Sequence, residues 1–428
     1  MNSEQVFATE QQLLSPGISE ESRLAGVVFA RGSGSYLFDL EGKAYLDFAS
    51  GIFTQNVGHN HPEVVTQVKQ QLDELWNVHD ASTVARARAC QALNRHLPQD
   101  LTRVAFFTTG AEAVEAAIRA VFAAAPPEKQ RLAALRYGFH GKTQGARSLV
   151  HWDVGYSNQS GNSVLGYAAN CYRCPLERSY PSCEMQCAKL VNKHISSKAN
   201  IAALFFEPVQ GAGGVIVPPP EYWPMIAEVC RENGILLVAD EVISAGGRTG
   251  SFLACQHYGI EPDLVMAAKG LSSGFPFSVL AGREALMASG EFAGAGAASS
   301  TYGGNPMSCT AAAATLQVLE NEQVLEGMEE KSRRLELGLR TLAMEHPVIG
   351  DVRGMGMLWA IEFVSCRKHK TPDIDAARTF YQQCLLSGVR TCLGGNIVRI
   401  GPPLNIADAD LDAALVVFDA CLAKAGAK

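Results

Sequence analysis

From about residue 60 onward, short and purely apolar runs alternate with amphipathic stretches, and that alternation leaves few architectures open. The runs Val104–Phe107, Leu132–Leu135, Ala202–Phe206, Ile235–Ala239, Leu264–Ala267 and Ser278–Ala281 are too short for helices and have no polar face. They read as strands buried on both sides. A mostly parallel sheet with helices on both faces is the α/β arrangement that buries them. Stretches such as Ala111–Ala124 and Pro224–Glu232 supply the covering helices. Ahead of them, the segment from Tyr36 to Phe48 reads as a hairpin turning at Glu41 and Gly42. A helix through Ala311–Glu320 precedes a strand–helix region that ends in a helix over Asp408–Ala425. The predicted organisation is residues 1–59 as an N-terminal segment of a small domain, 60–310 as a large ligand-binding domain, and 311–428 as the rest of a small α+β domain.

Bulk properties narrow the function. At 428 residues the chain exceeds what one hydrophobic core serves. Its 47% hydrophobic and 18% charged content suits a packed soluble enzyme. A net charge of -7 with no basic run argues against a nucleic-acid partner. No uninterrupted apolar stretch is long enough for a membrane span, and residues 1–17 lack the pattern of a secretory signal, so a cytoplasmic location is expected. Of the 12 cysteines, most lie in apolar contexts as small buried hydrophobes. Cys171, Cys174, Cys183 and Cys187 form two close pairs, spaced either as zinc ligands or as reduced or pairwise-oxidised thiols of a surface loop. No metal is assigned to the catalytic residues.

The chemistry is expected at strand ends. The run from Ile235 to Ala239 closes on Asp240 and Glu241, and in open α/β sheets ligands sit beyond the carboxyl ends of strands. A buried Asp240 needs a cationic partner, and a protonated pyridine nitrogen is one. A lone strand-end Asp is also an ordinary cap. The run from Leu264 closes on Lys269, where an apolar wall lowers an amine's pKa and favours Schiff-base chemistry. A snorkelling lysine is the plain alternative. Together, an acid and an amine on successive strand ends are more informative than either alone.

Other segments fit the same site. Thr108, Thr109, Gly110 and Ala111 join a strand to a helix start, where free N–H groups suit a phosphate. The segment is not Gly-x-Gly-x-x-Gly, which disfavours a dinucleotide site. Phe139 and His140 sit between Gly138 and Gly141 and suit stacking on a flat ring, or form a simple turn. Glu207 opens a glycine-rich loop after another strand. Arg399 stands in an otherwise apolar strand, where it holds either a substrate carboxylate or an internal acid.

Taken together, these pieces resemble the class III (ornithine/4-aminobutyrate type) aminotransferases of pyridoxal-phosphate fold type I. The resemblance runs from about Tyr36 to the C-terminus. It rests on Asn56–Pro62, Thr109–Ala113, Phe139–Gly141, Glu207–Gly211, Asp240–Val242, Gly247–Gly250, Pro262-Asp263, Lys269-Gly270 and Thr301–Pro306. It implies pyridoxal 5'-phosphate as cofactor, held by Lys269 as a Schiff base, with Lys269 also moving the substrate proton. It implies Asp240 on the pyridine nitrogen, Val242 and Phe139 on the ring faces with His140 beside them, and Gly110 and Ala111 on the phosphate. Thr301 would reach that phosphate from a neighbouring subunit, making a homodimer, or a tetramer built from it, the expected assembly. Arg399 would bind the substrate carboxylate, Glu207 would pair with it when no carboxylate is present, and Ile52 would line the substrate pocket.

The chain departs from the pattern at Ile243, where many members carry a Gln that contacts the cofactor's phenolic oxygen, and at Ser244–Gly247. Ile52 stands where the decarboxylating branch has Gln. The implied reaction moves an amino group from an amine or amino acid to a 2-oxo acid. Racemisation or epimerisation of an amine-bearing carbon is the alternative on the same scaffold, and a cofactor-free descendant is a third reading that Lys269 and Asp240 oppose.

Overall fold

The computed structural model describes residues 1–18, 20–151 and 163–427. Two compact units emerge, one from residues 1–61 and 326–428, the other from residues 62–325. Among the described residues, no helix is long and apolar enough to cross a membrane.

The chain enters the first unit with strands β1 (Phe29–Ser33), β2 (Tyr36–Asp39) and β3 (Ala44–Asp47). The hairpin read from the sequence is the antiparallel β2–β3 pair, with Tyr36 opposite Leu46. Gly42, at φ +88, takes the left-handed position of its turn.

The second unit is built on β4 (Arg103–Phe107), β5 (Arg131–Leu135), β6 (Ser163–Gly166), β7 (Ile201–Phe206), β8 (Leu236–Asp240), β9 (Leu264–Ala267) and β10 (Ser278–Gly282). They form one sheet in the order β4-β10-β9-β8-β7-β5-β6. Strand β10 runs antiparallel to both of its neighbours, and the remaining pairs are parallel. Because β4 and β9 both oppose β10, the carboxyl ends of β4, β5, β7, β8 and β9 share one edge of the sheet. All six residues of β7 are buried, as a central strand covered on both faces requires. The helix Gly110–Ala124 lays Ala113, Val114, Ala117 and Val121 into a core with Phe205, Val238, Met266 and Leu280. Its small side chains let its axis approach the sheet closely.

The chain then returns to the first unit with β11 (Ile349–Met355), β12 (Leu358–Cys366), β13 (Thr371-Pro372), β14 (Val389-Arg390), β15 (Cys392–Gly394) and β16 (Ile397–Ile400). Strand β14 pairs in parallel with β3, placing Leu46 beside Val389 and Asp47 beside Arg390. Phe48, Phe363, Phe380 and Phe418 form a chain of ring contacts with centroids 5.3–5.6 Å apart. The division falls after Leu325, not near residue 310. Residue 310 lies inside the helix Pro306–Asn321, which packs on the helices Pro62–Glu74 and Val84–Asn94 of the second unit.

Candidate active site

The polar groups of the second unit collect at the shared strand edge. Asp240 is the last residue of β8, and its backbone pairs with Met266 of β9. Lys269 follows three residues later, at most about 10 Å further along the chain. It starts a short 3-10 turn with φ +47, a left-handed conformation that costs any residue with a Cβ free energy and persists where surroundings enforce it. Glu207 directly follows β7, and Tyr137 to His140 follow β5. The helix start at Gly110 follows β4.

Asp240 is buried and holds two donors. Its Oδ2 lies 2.7 Å from His140 Nδ1, and its Oδ1 accepts from the Val242 N–H at 3.1 Å. Burial by itself pushes His140 toward the neutral form, but the hydrogen bond to Asp240 and the charges of Asp240 and Glu207 outweigh it, so the imidazole's pKa is raised. Its Nε2 is buried without a hydrogen-bond partner among the described residues. The imidazole is therefore an acid partner and not the stacking group anticipated from its position beside Phe139. Glu207 uses both oxygens, accepting from Phe139 N at 2.8 Å and Gly211 N at 3.0 Å. Burial and the Asp240 charge still push Glu207 up to about 7.

At the helix start, Glu112 accepts from the N–H groups of Thr108 and Thr109 at 3.0 and 2.9 Å, while the Thr109 hydroxyl caps Glu112 N at 3.3 Å. Gly110 and Ala111, in the first helical turn, have no helical carbonyl to donate to. Those two N–H groups are what an anion can use. A Cβ on Gly110 would come within 3.0 Å of both Val242 methyls, so Val242 packs directly on this turn. A buried carboxylate at one end, two unused amide donors at the other and Val242 between them fit pyridoxal phosphate, whose ring carries a cationic nitrogen opposite its phosphate.

Ile243, the departure noted above, turns its side chain onto the Glu207–Gly214 loop. A Cβ at Gly211 would sit 2.6 Å from Ile243 Cδ1. Glu241 was not anticipated. It is fully buried and accepts from Ala254 N at 2.9 Å, Cys255 N at 2.7 Å and the Ser244 hydroxyl, tying the loop after β8 to the next segment. Thr301 is exposed, and its carbonyl accepts from Asn77 Nδ2 at 3.1 Å. Cys171, Cys174, Cys183 and Cys187 line one cavity with Arg178 and Tyr180. The one group of three metal-ligating side chains within 4.8 Å, among the described residues, is instead Glu345, His346 and Asp419.

The first unit holds Ile52 and Arg399. Ser50, Gly51, Ile52 and Phe53 all have φ between +45 and +64, a left-handed turn unusual for a β-branched residue. Asp47 clamps it, accepting from Ala49 N and Gly51 N at 3.1 Å and pairing with His59 at 2.8 Å and Arg390 at 3.1 Å. Burial opposes the Asp47 charge, but His59 and Arg390 prevail and its pKa is lowered. The Arg399 guanidinium lies 5.5 Å from the Phe53 ring centroid. Its Nη2 donates to Cys392 Sγ at 2.9 Å, and no carboxylate of this unit pairs with it among the described residues. The internal ion pair weighed for Arg399 is thus not formed there.

The model of the family described as "Aminotransferase class-III" matches residues 18–422. The 4-aminobutyrate aminotransferase GabT of Escherichia coli is 34% identical over 407 residues, 93% of this chain and 94% of that protein. A leucine/methionine racemase of Thermococcus litoralis is 32% identical, covering 93% of this chain and 91% of its own. Among solved structures, a PLP-bound amine transaminase from an uncultivated Pseudomonas species superposes with a TM-score of 0.88 at 30% identity, covering 97% of this chain and 99% of that one. The fold is that of the pyridoxal-phosphate transferases of type I, and pyridoxal phosphate is the cofactor. The chain is a member of the class-III aminotransferase family.

Proposed function

We propose that this aminotransferase takes its amino group from an omega-amino carboxylate and passes it to a 2-oxo acid, with Lys269 as the covalent anchor and proton carrier. Relatives named for 4-aminobutyrate and 5-aminovalerate support the donor class. The observation that carries the reading is the buried Asp240–His140 pair at the strand end that precedes Lys269. Bound pyridoxal phosphate supplies an electron sink for the carbanion left by proton removal. Asp240 holds the proton on the ring nitrogen that makes the sink effective, and His140 orients and balances that carboxylate. Gly110 and Ala111 would hold the phosphate through their N–H groups, and Val242 and Phe139 would pack against the ring. Lys269 takes the proton from the amine-bearing carbon and returns it elsewhere. Arg399 holds the donor's distal carboxylate beside Ile52.

We also infer a homodimer in which Thr301 of each subunit meets the other's phosphate. Thr301 is exposed in the single chain. The Asn77 bond places it beside a segment that exposes Leu72, Leu75, Trp76 and Val84, and Tyr302 next to it is 62% exposed. A second copy covering that apolar surface removes its cost. Sedimentation at twice the chain mass is the expected result, and a monomer with full activity would refute it.

The test of the reaction is a single-turnover incubation of holoenzyme with 4-aminobutyrate or 5-aminovalerate and no oxo acid. Transfer releases one equivalent of the matching semialdehyde per subunit and then stops. Racemisation releases none. Lys269→Ala, treated with borohydride in the presence of cofactor, is expected to carry no added mass at that position. A variant that still turned over would end the assignment.

A further inference from the structure

Arg399 and Cys392 are cross-strand partners in the β15–β16 ladder, so their side chains rise from one face. The guanidinium rests on that sulfur at 2.9 Å and over Phe53. Behind Cys392 lies a buried acid, Glu21, 7% exposed, whose carboxylate pairs with Arg390 at 3.3 Å. Tyr381 donates to the Glu21 carbonyl at 3.2 Å, fixing that segment in place. Cys392 is itself 1% exposed. Burial pushes its thiol up to about 11, so it is protonated, and the Glu21 carboxylate also favours the neutral form. Arg399 thus meets a neutral thiol, and the helix that carries Glu21, already paired with a second arginine, packs on the strand of that thiol.

We propose that Cys392, backed by Glu21, is a positioning residue that fixes Arg399 for the substrate's carboxylate without neutralising it. This rests on Arg399 being the carboxylate-binding residue. An arginine met directly by a carboxylate would be charge-balanced, and an incoming carboxylate would have to displace that acid. A thiol is a weak, uncharged acceptor. It holds one nitrogen in place and leaves the guanidinium's charge for the ligand. Glu21 pairs with Arg390 and not with Arg399, and although burial raises its pKa, the charges of both arginines favour its ionised form. The arrangement also explains why an apolar strand tolerates an arginine that no acid of this unit pairs with among the described residues.

The experiment uses the full-length holoenzyme and two readouts: the KM and kcat for 4-aminobutyrate, and the calorimetric Kd of glutarate, a carboxylate that cannot react. Cys392→Ala is expected to raise both KM and Kd about fivefold, the worth of one neutral hydrogen bond, with kcat within about twofold. Cys392→Ser, which keeps an acceptor and donor, is expected to recover most of that loss. Cys392→Asp, which sets a carboxylate directly on Arg399, is expected to raise both by more than about tenfold. Arg399→Ala is the control for the underlying reading. If Arg399→Ala weakens glutarate strongly while Cys392→Ala and Cys392→Asp leave it unchanged, the positioning role is wrong and the carboxylate site stands. If Arg399→Ala leaves glutarate unchanged, the carboxylate site itself is wrong. A fall in kcat and melting temperature with unchanged KM and Kd makes Cys392 merely structural and overturns the proposal. Should Cys392→Ala not fold, the Ser and Asp pair decides on its own, since only their opposite effects are compatible with positioning.

Discussion

Replacing His140 with Ala removes the one ionisable partner of Asp240 among the described residues and leaves the carboxylate with the Val242 N–H. The two side chains are 1% and 4% exposed, so water compensates little. Breaking a buried pair from one side costs about 3 kcal/mol or more, because the surviving charge keeps its desolvation penalty. For a unit of this size that is a fall in melting temperature of about 6 °C. His140→Asn, whose amide can present an N–H near the position of Nδ1, is expected to recover about half. The sign with pH follows from the raised imidazole pKa. A raised group contributes stability that is complete below its unfolded value, about 6.5, and is lost as pH rises through the folded value. The gap between wild type and His140→Ala is therefore widest near pH 6 and narrows at alkaline pH. Urea titration of cofactor-stripped protein across that range measures it without the mass-action stabilisation of bound cofactor. A gap below about 1 kcal/mol that does not vary with pH would refute the reasoning, because Asp240 would then be balanced by something other than His140.

The other predictions concern neighbouring constraints. Glu207, pushed up to about 7, keeps a proton that the unfolded chain releases near its ordinary 4.5, so stability falls as pH rises between those values, by on the order of 3 kcal/mol. Glu207→Gln is expected to flatten that part of the urea-midpoint profile, and an unchanged slope would show the proton sits elsewhere. Asp47→Asn is expected to cost about 3 kcal/mol at neutral pH by unpairing Arg390 and His59. Because the Asp47 pKa is lowered, that difference is present above about 3.8 and closes as acid protonates the wild-type carboxylate, which thermal melts at descending pH report. Gly141→Ala places a Cβ 2.8 Å from the Ala111 Cβ at a φ of +136, so about 2–3 kcal/mol is lost and the displaced Ala111 amide weakens cofactor retention, measurable by equilibrium dialysis.

Much of this was legible because it depends on local pattern. Strands β7 and β9 are apolar throughout, and nothing but a covered parallel sheet accommodates them. Asp240 and Lys269 announced themselves as charges ending such strands. The edge strand β6 escaped because four residues with one exposed leucine carry little periodicity. The division after Leu325 escaped because the helix Pro306–Asn321 is apolar nearly all round, and its allegiance is set by the two helices it meets. His140 was placed in the site for the wrong reason: beside Phe139 it looks like a stacking ring, and only the folding of β5 next to β7 and β7 next to β8 brings it to Asp240. The roles of Glu241 and Cys392 went unassigned for a related reason. A buried acid satisfied by backbone N–H groups and a thiol facing an arginine have no signature in spacing, since their partners are 13 and 7 residues away and meet them only through a loop and a strand pairing.

The two units treat charge in opposite ways, and the difference matches what each is proposed to bind. In the second unit every buried carboxylate near the strand edge has its donors supplied by the chain: Asp240 by His140 and Val242, Glu207 by Phe139 and Gly211, Glu241 by Ala254, Cys255 and Ser244. Such sites are rigid because each acid is over-determined, and a tightly held cofactor benefits from that rigidity. In the first unit Asp47 and Glu21 are spent on Arg390, while Arg399 touches a sulfur and an aromatic ring. If Arg399 holds the substrate carboxylate as proposed, it gains from partners that orient without neutralising. The left-handed turn Ser50–Phe53 supports this economy, since Asp47 ties its backbone and thereby fixes the Phe53 ring under the guanidinium. Strain accepted at Ile52 and Phe53 thus accompanies a ring held 5.5 Å from the guanidinium, which is the support the proposed carboxylate-binding role of Arg399 calls for.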